Sequence, residues 1–367
     1  MKVLLVEPPT GSSFVSGLGA SAIPSTAYLA PPLEEEGHEV KIVDSPALDY
    51  GFEDVREEMR DFDPGIVGVT AMTPSIPQAY RIVEAAKDLN SDCTTVLGGD
   101  HVTSLPRRTL EECPHLDVAV KGEGEVTMKE IASTDDLSEV KGVAYSRGGE
   151  IVENQPRTPI QDLDSLPLPA YHLLPMEEHE YQRTKFATIM TSRGCPYNCT
   201  FCSKQDYRNV KREKSPERVL EQIKLLENQY GIEEIEIVDD AFTVNRDRAA
   251  KICDMIRERA PDLSWFCMSR VDGIDEKLAE KLKEAGCHTV YLGMESGVQK
   301  TLNRIKKGIT LEQIRNSVRA VTDAGLNAVG SFILGIPGET KEQMKRERWS
   351  STFWRSDLTL FLKTIRG

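Results

Sequence analysis

The 367-residue sequence has no long apolar run, no excess of positive charge and few aromatic residues. No stretch of 18 apolar residues occurs, and the opening MKVLLVEPPTG turns polar after one short apolar run, so we expect no membrane segment and a cytoplasmic protein. The formal net charge of −14 disfavours a nucleic-acid partner, because general binding to nucleic acid comes mainly from Lys and Arg. The remaining composition, 39% apolar and 28% charged, is that of a globular protein, and its length favours two domains.

The eight cysteines lack the pattern of a disulfide framework, and in a cytoplasmic chain they are expected to be reduced thiols or metal ligands. Five stand singly and are interpreted as small core residues: Cys93, Cys113, Cys253, Cys267 and Cys287. The other three, Cys195, Cys199 and Cys202, form a CxxxCxxC frame in TSRGCPYNCTFCSK. No fourth Cys or nearby His completes a structural zinc site, so zinc is disfavoured.

In the first part of the chain, short apolar runs alternate with helical stretches. The runs are KVLLVEPP, HEVKIVD, PGIVGVTAMT, CTTVLGGDH and LDVAVKGEGE. This alternation predicts an α/β domain over residues 1–141, with a doubly wound, Rossmann-like and mostly parallel sheet. Ligands of such sheets bind beyond the carboxyl ends of the strands. The candidate binding residues there are Pro8, Thr70, Thr73, Gly98, Gly99, His101, Gly122 and Glu123, although the glycines could serve only tight turns.

Residues 142–185 are expected to form a hairpin followed by a proline-rich linker that runs extended over the surface. A second alternating series then fills residues 186–367, with strands predicted in FATIMTSRG, EEIEIVDDAFTVN, LSWFCMSRVDG, HTVYLGMESG and NAVGSFILGIPGE. Five β/α units predict a partial TIM-type barrel, whose chemistry lies at the carboxyl ends of its strands. The tail loses its amphipathic spacing, although DLTLFL could form a sixth strand. The barrel is therefore expected to be incomplete at its C-terminus, as a short natural variant or as a truncated product.

The cysteine frame follows the first strand of this barrel and so lies on its functional face. An iron-sulfur cube has four irons, and three thiolates leave one iron open. Three adventitious thiols are the alternative. The frame, with Phe201 before its last Cys, resembles that of the radical S-adenosylmethionine (radical SAM) superfamily. That resemblance implies a [4Fe-4S] cluster whose open iron binds S-adenosylmethionine, a 5′-deoxyadenosyl radical, and an electron donor such as flavodoxin or ferredoxin.

Polar residues follow the other predicted barrel strands: Asp239, Asp240, Ser269, Arg270 and Glu295, and then Gly335 and Pro337 in the GIPGE turn. The resemblance implies that they contact the amino acid end and ribose of S-adenosylmethionine, with GIPGE near the adenine. Arg can pair with a carboxylate in a bidentate manner, and Asp or Glu can accept from hydroxyls or an ammonium group. Taken singly, the charged residues could equally form ordinary salt bridges.

The first domain resembles the cobalamin-binding-domain branch of the superfamily, which includes methyltransferases and anaerobic magnesium-protoporphyrin ester cyclases. The likeness implies a bound cobalamin. DSPALDYG stands where a DxHxxG loop would supply a cobalt-ligating His, and it contains none. His101 is the one candidate contact, and the alternative is a hydrogen-bonding loop histidine.

The expected function is methylation or oxidative cyclisation of a small-molecule or natural-product substrate. A methylthiotransferase-like activity is disfavoured, because that class usually carries three further cluster cysteines in its first domain. A protein that holds a cluster or corrinoid without turnover is the alternative from a different class.

Overall fold

The computed structural model describes residues 1–9, 25–181, 184–202 and 210–344, together with the backbone of a strand at 358–364. The chain forms two compact units. The first comprises Met1–Gln161 and Ser165–Arg183, and the second comprises Asp162–Asp164 and Thr184–Gly367.

The first unit is built on one sheet whose strands run in the order β2-β1-β3-β4-β5-β6-β7. The first five are parallel, and the β6–β7 hairpin adds two antiparallel strands at one edge. The strands are β1 (Lys2–Glu7), β2 (Glu39–Asp44), β3 (Ile66–Thr70), β4 (Thr94–Gly98), β5 (Val118–Val120), β6 (Val143–Arg147) and β7 (Glu150–Glu153). A two-residue strand, β8 (Glu180–Tyr181), follows in the chain and is not part of this sheet. The reversal of order at β1 is that of a doubly wound sheet.

Helices connect these parallel strands: α1 (Thr26–Glu35), α2 (Phe52–Phe62), α3 (Ile76–Leu89), α4 (Asp100–Ser104), α5 (Pro106–Glu112) and α6 (Glu125–Ala132). The strands of a parallel sheet covered on both faces are continuously apolar, and β1 shows this pattern with Val3, Leu4, Leu5 and Val6 all fully buried. The core of this unit includes two of the single cysteines, Cys93 and Cys113.

The segment 165–181 differs from the extended surface linker that its prolines predict. Tyr171 and Met176 are buried, and the backbone N–H of Ala170 donates to the carbonyl of Ala27 at 2.9 Å. Farther along, the fully buried His179 places Nε2 3.1 Å from a carboxylate oxygen of Asp44. The surface-linker prediction is therefore wrong here. The physical reason is that the apolar side chains between the prolines gain more by burial than an extended course would allow.

In the second unit, parallel strands run in chain order, β9-β12-β13-β14-β15-β16. They are β9 (Thr184–Ile189), β12 (Glu234–Ile237), β13 (Ser264–Arg270), β14 (Cys287–Glu295), β15 (Asn327–Leu334) and β16 (Leu358–Thr364). Two short strands, β10 (Ser192–Arg193) and β11 (Arg212–Glu213), form a separate antiparallel ladder. Sequential parallel order is the arrangement of a β/α barrel wall, and β16 is the sixth strand predicted in DLTLFL.

The helices of this unit are α7 (Pro216–Tyr230), α8 (Arg246–Arg259), α9 (Glu276–Glu284), α10 (Gln299–Arg304) and α11 (Leu311–Asp323). Helices α7, α8, α9 and α11 contact one another in that order and form a layer along one face of the sheet. Side chains of one strand face, including Ile235, Ile237 and Cys267, are buried. Cys253 and Cys287 are buried as well, so the core role predicted for all five single cysteines is confirmed.

Candidate functional site

The cysteine frame lies on a loop that follows β9 at the carboxyl end of the second sheet. The ladder formed by β10 and β11 closes the base of this loop. Within the loop, the thiols of Cys195 and Cys199 are half-buried and that of Cys202 is exposed. In the described part of the chain, no three Cys, His, Asp or Glu side chains are gathered closely enough to hold a metal ion.

Asp239, at the end of β12, anchors the entrance of the cysteine loop. It is fully buried, and its Oδ1 accepts from the backbone N–H groups of Thr191 at 2.6 Å and Ser192 at 2.9 Å. Its Oδ2 accepts from both hydroxyls of these residues at 2.6 Å. Four donors converge on one carboxylate, which is how a buried charge becomes tolerable in an apolar interior.

Arg248, from α8, ties the entrance of the loop to its exit. Its Nε donates to the carbonyl of Lys214 at 2.8 Å, just beyond β11, and an Nη donates to the carbonyl of Thr191 at 2.8 Å. The planar fork of a guanidinium suits two acceptors that stand side by side. Both ends of the cysteine loop are therefore held by buried charged side chains, Asp239 and Arg248.

Arg270, at the end of β13, is the charged side chain closest to a thiol of the frame among the contacts described. Its Nη1 lies 3.8 Å from Sγ of Cys199, and its guanidinium stands 3.5 Å from the ring centre of Tyr197. Asp272 accepts from it twice, at 2.9 Å each, and the carbonyl of Lys307 accepts at 2.8 Å.

Glu295, at the end of β14, forms a buried ion pair with Lys307. Oε1 lies 2.8 Å from Nζ, and both side chains are less than a tenth exposed. The backbone of Glu295 is left-handed, with φ of 64°, where the register of the ladder with β15 shifts. A Cβ at Gly293 would stand 2.9 Å from both Oε1 and Nζ, so a larger residue there would have to displace the ends of this ion pair. Lys307 Nζ also stands 5.8 Å from the ring centre of Phe201 in the cysteine loop.

The other predicted barrel residues differ in what they contact. Ser269 is buried, and its hydroxyl makes a short hydrogen bond with that of Thr243 and donates to the carbonyl of Arg270 at 2.9 Å. Asp240 is exposed. In the GIPGE turn, the N–H of Gly335 donates to a carboxylate oxygen of Glu339 at 3.0 Å, and the carbonyl of Pro337 accepts from Arg304 at 3.0 Å.

The predicted residues of the first unit lie around the carboxyl ends of β1, β3, β4 and β5. Pro8 is buried, and Gly98 ends β4. The hydroxyl of Thr70 accepts from Ser25 at 3.3 Å, and Gly122 donates its N–H to the hydroxyl of Thr103 at 3.1 Å. Glu123 accepts from the N–H of Ile160 at 2.7 Å.

Gly99 and His101 have separate structural roles at this edge. Gly99 has φ of 94°, and a Cβ there would stand 2.6 Å from the carbonyl oxygen of Ala71, so this glycine serves backbone packing. His101 is 7% exposed, and its Nδ1 lies 3.1 Å from the hydroxyl of Thr73. Burial lowers the pKa of His101 and favours a neutral ring. Its Nε2 is buried without a hydrogen-bond partner among the described residues.

The sequence did not predict three residues of the site around the cysteine loop: Arg248, Lys307 and Glu339. Arg248 lies inside a helix with many charges, and Lys307 lies in an ordinary basic pair before a glycine, so neither carries a local signal. Glu339 closes the GIPGE turn, where an acidic residue one position after glycine is a recognisable capping signal.

Comparison with known proteins identifies the class to which this arrangement belongs. Residues 189–347 match the radical SAM superfamily, and residues 24–132 match the B12 binding domain. The chain belongs to the radical SAM superfamily, in the cobalamin-dependent group of methyltransferases and cyclases, and it is an enzyme of that group. The predicted fold class, with a Rossmann-like B12-binding domain before a radical SAM domain, is confirmed.

Three known proteins show which members of this group the chain is similar to. It is 43% identical to an uncharacterized methyltransferase of Pyrococcus horikoshii, over 94% of this chain and 76% of that protein. It is 32% identical to the anaerobic magnesium-protoporphyrin IX monomethyl ester cyclase of Rubrivivax gelatinosus, over 98% of this chain and 67% of that protein. Its fold resembles that of TsrM, a radical S-adenosylmethionine methyltransferase of Kitasatospora setae solved with cobalamin and a [4Fe-4S] cluster. The TM-score is 0.80 at 21% identity, covering 98% of this chain and 72% of TsrM.

No helix in the ranges that the structure describes is long and apolar enough to cross a membrane.

Proposed function

We propose that this enzyme binds a [4Fe-4S] cluster through Cys195, Cys199 and Cys202, with S-adenosylmethionine beside it and cobalamin at the first sheet, and that it methylates or oxidatively cyclises a small molecule. The observation that carries the proposal is a single loop with three thiols, held at both ends, at the carboxyl end of the first parallel strand. Methylation is the favoured reaction, because the relative at 43% identity is named a methyltransferase.

The donor set of the loop fits an iron-sulfur cluster. Thiolates are the usual ligands of such clusters, and three of them leave one iron open for a ligand that is not protein. All three thiols are at least partly accessible, whereas the other five cysteines are buried. A cluster held by these thiolates would supply the electron that cleaves S-adenosylmethionine to methionine and a 5′-deoxyadenosyl radical.

The charged residues around the loop divide into two roles in this proposal. Arg270 and Glu295 stand at the strand ends next to the cysteine loop, where a guanidinium suits a carboxylate and a carboxylate suits an ammonium or hydroxyl. Asp239 and Ser269 already have their oxygens occupied by neighbours, and we assign them to positioning. Asp240, which is exposed, and the GIPGE turn with Gly335 and Pro337 remain predicted contacts for the nucleoside part.

The first unit, with residues 1–141 as its proposed cofactor-binding part, offers a site for cobalamin at the carboxyl edge of its sheet. Hydroxyls of Thr70 and Thr73 and the backbone of Gly98 and Gly122 are gathered at this edge. The orphaned Nε2 of the buried His101 is a polar atom that a ligand could satisfy. The turn after β2 holds no His, so we propose no lower cobalt ligand from that turn.

The proposed partners are a small-molecule substrate and an electron donor of the flavodoxin or ferredoxin type, in the cytoplasm. One-electron reduction of the cluster would need an external reductant, which is why an electron donor is part of the proposal.

The test is anaerobic reconstitution of the full chain with iron, sulfide and cobalamin. We expect about four iron atoms per chain and release of 5′-deoxyadenosine from S-adenosylmethionine under reducing conditions. Cys199→Ala should abolish both signals. The matched control is Cys93→Ala, which removes a buried core thiol and should retain iron. A reconstituted wild-type protein without iron would refute the proposal.

A further inference from the structure

The inner face of the second sheet carries a carboxyl group that nothing in the site above uses. Strand β12 alternates, with Ile235 and Ile237 buried on the side of the helix layer. Glu234 and Glu236 therefore lie on the opposite face. In the ladder, Glu236 stands between Thr188 of β9 and Phe266 of β13.

Glu234 and Glu236 differ in their partners although they share a strand and a face. Glu234 Oε1 lies 2.9 Å from Nε2 of His288, whose Nδ1 lies 2.7 Å from the hydroxyl of Thr289. Glu236, half-buried, makes no hydrogen bond or ion pair with any residue that the structure describes. Glu234 and His288 thus satisfy each other's hydrogen-bonding groups, whereas the carboxyl of Glu236, two residues farther along β12, is unpaired.

Aromatic rings cover this face of the sheet beside Glu236 and toward the amino ends of the strands. The rings of Phe186 and Phe266 stack with centroids 6.0 Å apart. Phe266 also meets His288 at 5.5 Å and Tyr291 at 5.8 Å. Since a ligand cannot pass through this packed layer, it would meet Glu236 from the side of the strand carboxyl ends.

Toward the carboxyl ends of the strands, the side chains of Met268 and Tyr291 form an apolar surface. On β13, Met268 and Arg270 follow Phe266 on the same face, and Met268 is 38% exposed and pairs in register with Tyr291. Arg270 is four residue steps along the strand from Phe266, about 13 Å at roughly 3.3 Å per step. Arg270 contacts Cys199, so this length runs from the Glu236 layer to the cysteine loop.

We propose that Glu236 binds the substrate, as an acceptor for an N–H or O–H group on a flat apolar molecule whose ring lies against Met268 and Tyr291. This inference rests on the proposed function, because it places the substrate between Glu236 and the cysteine loop. It assigns a substrate class: ring compounds with a hydrogen-bond donor at one end.

The ionisation of Glu236 gives this contact a pH dependence. Burial raises the pKa of Glu236 to about 7. The carboxyl therefore becomes ionised as pH rises through 7, and an ionised carboxylate is the stronger acceptor. Among the described residues of these strands, the other charged or titratable groups on this face are the paired Glu234 and His288 toward the amino ends, Tyr291 beside Met268, and the paired Arg270 toward the carboxyl ends. Thr188, Phe266 and Met268, on the neighbouring strands, are uncharged.

The experiment compares two probes of the same shape, indole and benzothiophene, of which only indole has an N–H donor. Their binding to the full reconstituted chain is measured by equilibrium dialysis at pH 6 and pH 8. We expect the wild type to prefer indole about tenfold at pH 8, the contribution of one charge-assisted hydrogen bond at the lower end of its range, and to lose most of that preference at pH 6. In Glu236→Gln the preference should be small at both pH values.

Glu234→Gln is the matched control, because it changes a carboxyl on the same strand and face that is already paired. It should keep the wild-type preference. Met268→Ala should weaken both probes alike, which separates contact with the ring from contact with the donor. Circular dichroism compares the folding of all variants, and Glu236→Asp, which keeps the charge, replaces Glu236→Gln if the latter does not fold. Asp should then retain a preference that rises with pH.

Equal binding of the two probes to the wild type at pH 8, or an unchanged preference in Glu236→Gln, would overturn the inference. Release of 5′-deoxyadenosine by the wild type and by Glu234→Gln is measured alongside and should be seen in both. Its absence from the wild type would contradict the proposed function instead, so the two failures are distinguishable.

Discussion

At the scale of single residues, Asp239 has both carboxylate oxygens occupied by the backbone and hydroxyls of Thr191 and Ser192. Its position after a barrel strand suggested a cofactor contact, and position in the sequence cannot distinguish an anchor from a ligand. The distinction depends on which donors the fold brings to the carboxylate, and those donors come from a strand end 48 residues earlier.

Asp239→Asn should therefore weaken the entrance of the cysteine loop. Its amide presents N–H groups where an oxygen now accepts, so we expect a loss of roughly 2–4 kcal/mol in unfolding free energy, as for a broken network of buried charge-assisted bonds. Chemical denaturation measures the loss, and iron content after reconstitution should fall with it. Asp240→Asn, at the exposed neighbour, should change neither quantity.

Cysteine is the residue type for which the sequence was most informative. Spacing separated the loop thiols from the core thiols, and burial confirms the core assignment. Lys307 shows the opposite case. Its ion pair with Glu295 depends on a left-handed backbone and on a missing side chain at Gly293, and neither feature has a signature in a single sequence.

At the scale of elements, hydrogen bonds hold the cysteine loop at two points, between β9 and β10 and between β11 and α7. The alternation of apolar runs predicted the barrel strands and placed the cysteines after the first of them. It did not predict the short ladder of β10 and β11, because two-residue strands are too short for a periodic pattern. Nor could it predict that a helix side chain, Arg248, would join the two ends.

Arg248→Lys keeps the charge but replaces a two-pronged donor with a single ammonium, which cannot serve both the Thr191 and Lys214 carbonyls in the same geometry. We expect a loss of about 2 kcal/mol in unfolding free energy from one unsatisfied buried acceptor. We also expect faster loss of iron to a chelator from the reconstituted protein. Arg257→Lys, on the same helix at an exposed pair with Glu284, is the control and should behave as wild type.

At the scale of the whole molecule, the two sheets are distinguished by strand order. In the first, the order reverses around β1, and in the second, the strands follow the chain. Alternating strand and helix patterns predicted both as parallel α/β layers. The course of residues 165–181 was not predicted, because prolines constrain the local backbone but do not say whether the apolar residues between them find a surface to cover.

The free energy of unfolding should fall as pH rises from mildly acidic to alkaline values, because Glu7 loses a proton in the folded state. This residue ends β1, in register with Asp44 at the end of β2, and burial together with the charge of Asp44 raises its pKa to about 8. The folded state then holds a proton that the unfolded chain loses near its ordinary pKa of about 4.5. The stabilisation is complete below that value and is lost as pH rises toward 8.

Glu7→Gln should remove this loss. We expect the variant to match the wild type in unfolding free energy near pH 4.5 and to exceed it at pH 8.5 by a few kcal/mol, at about 1.36 kcal/mol per pKa unit. Urea unfolding at the two pH values measures the difference. Glu57→Gln, at an exposed position on α2, should show no pH-dependent gain.

The way the chain alternates between its units affects how the gene can be divided. After Gln161 the backbone enters the second unit for three residues and then returns to the first for Ser165–Arg183 before leaving again. A fragment that stops at the first crossing would lack its own Tyr171, Met176 and His179 and would be left with an open apolar groove. Such a fragment is expected to aggregate unless a synthetic peptide covering the returning stretch is supplied in trans.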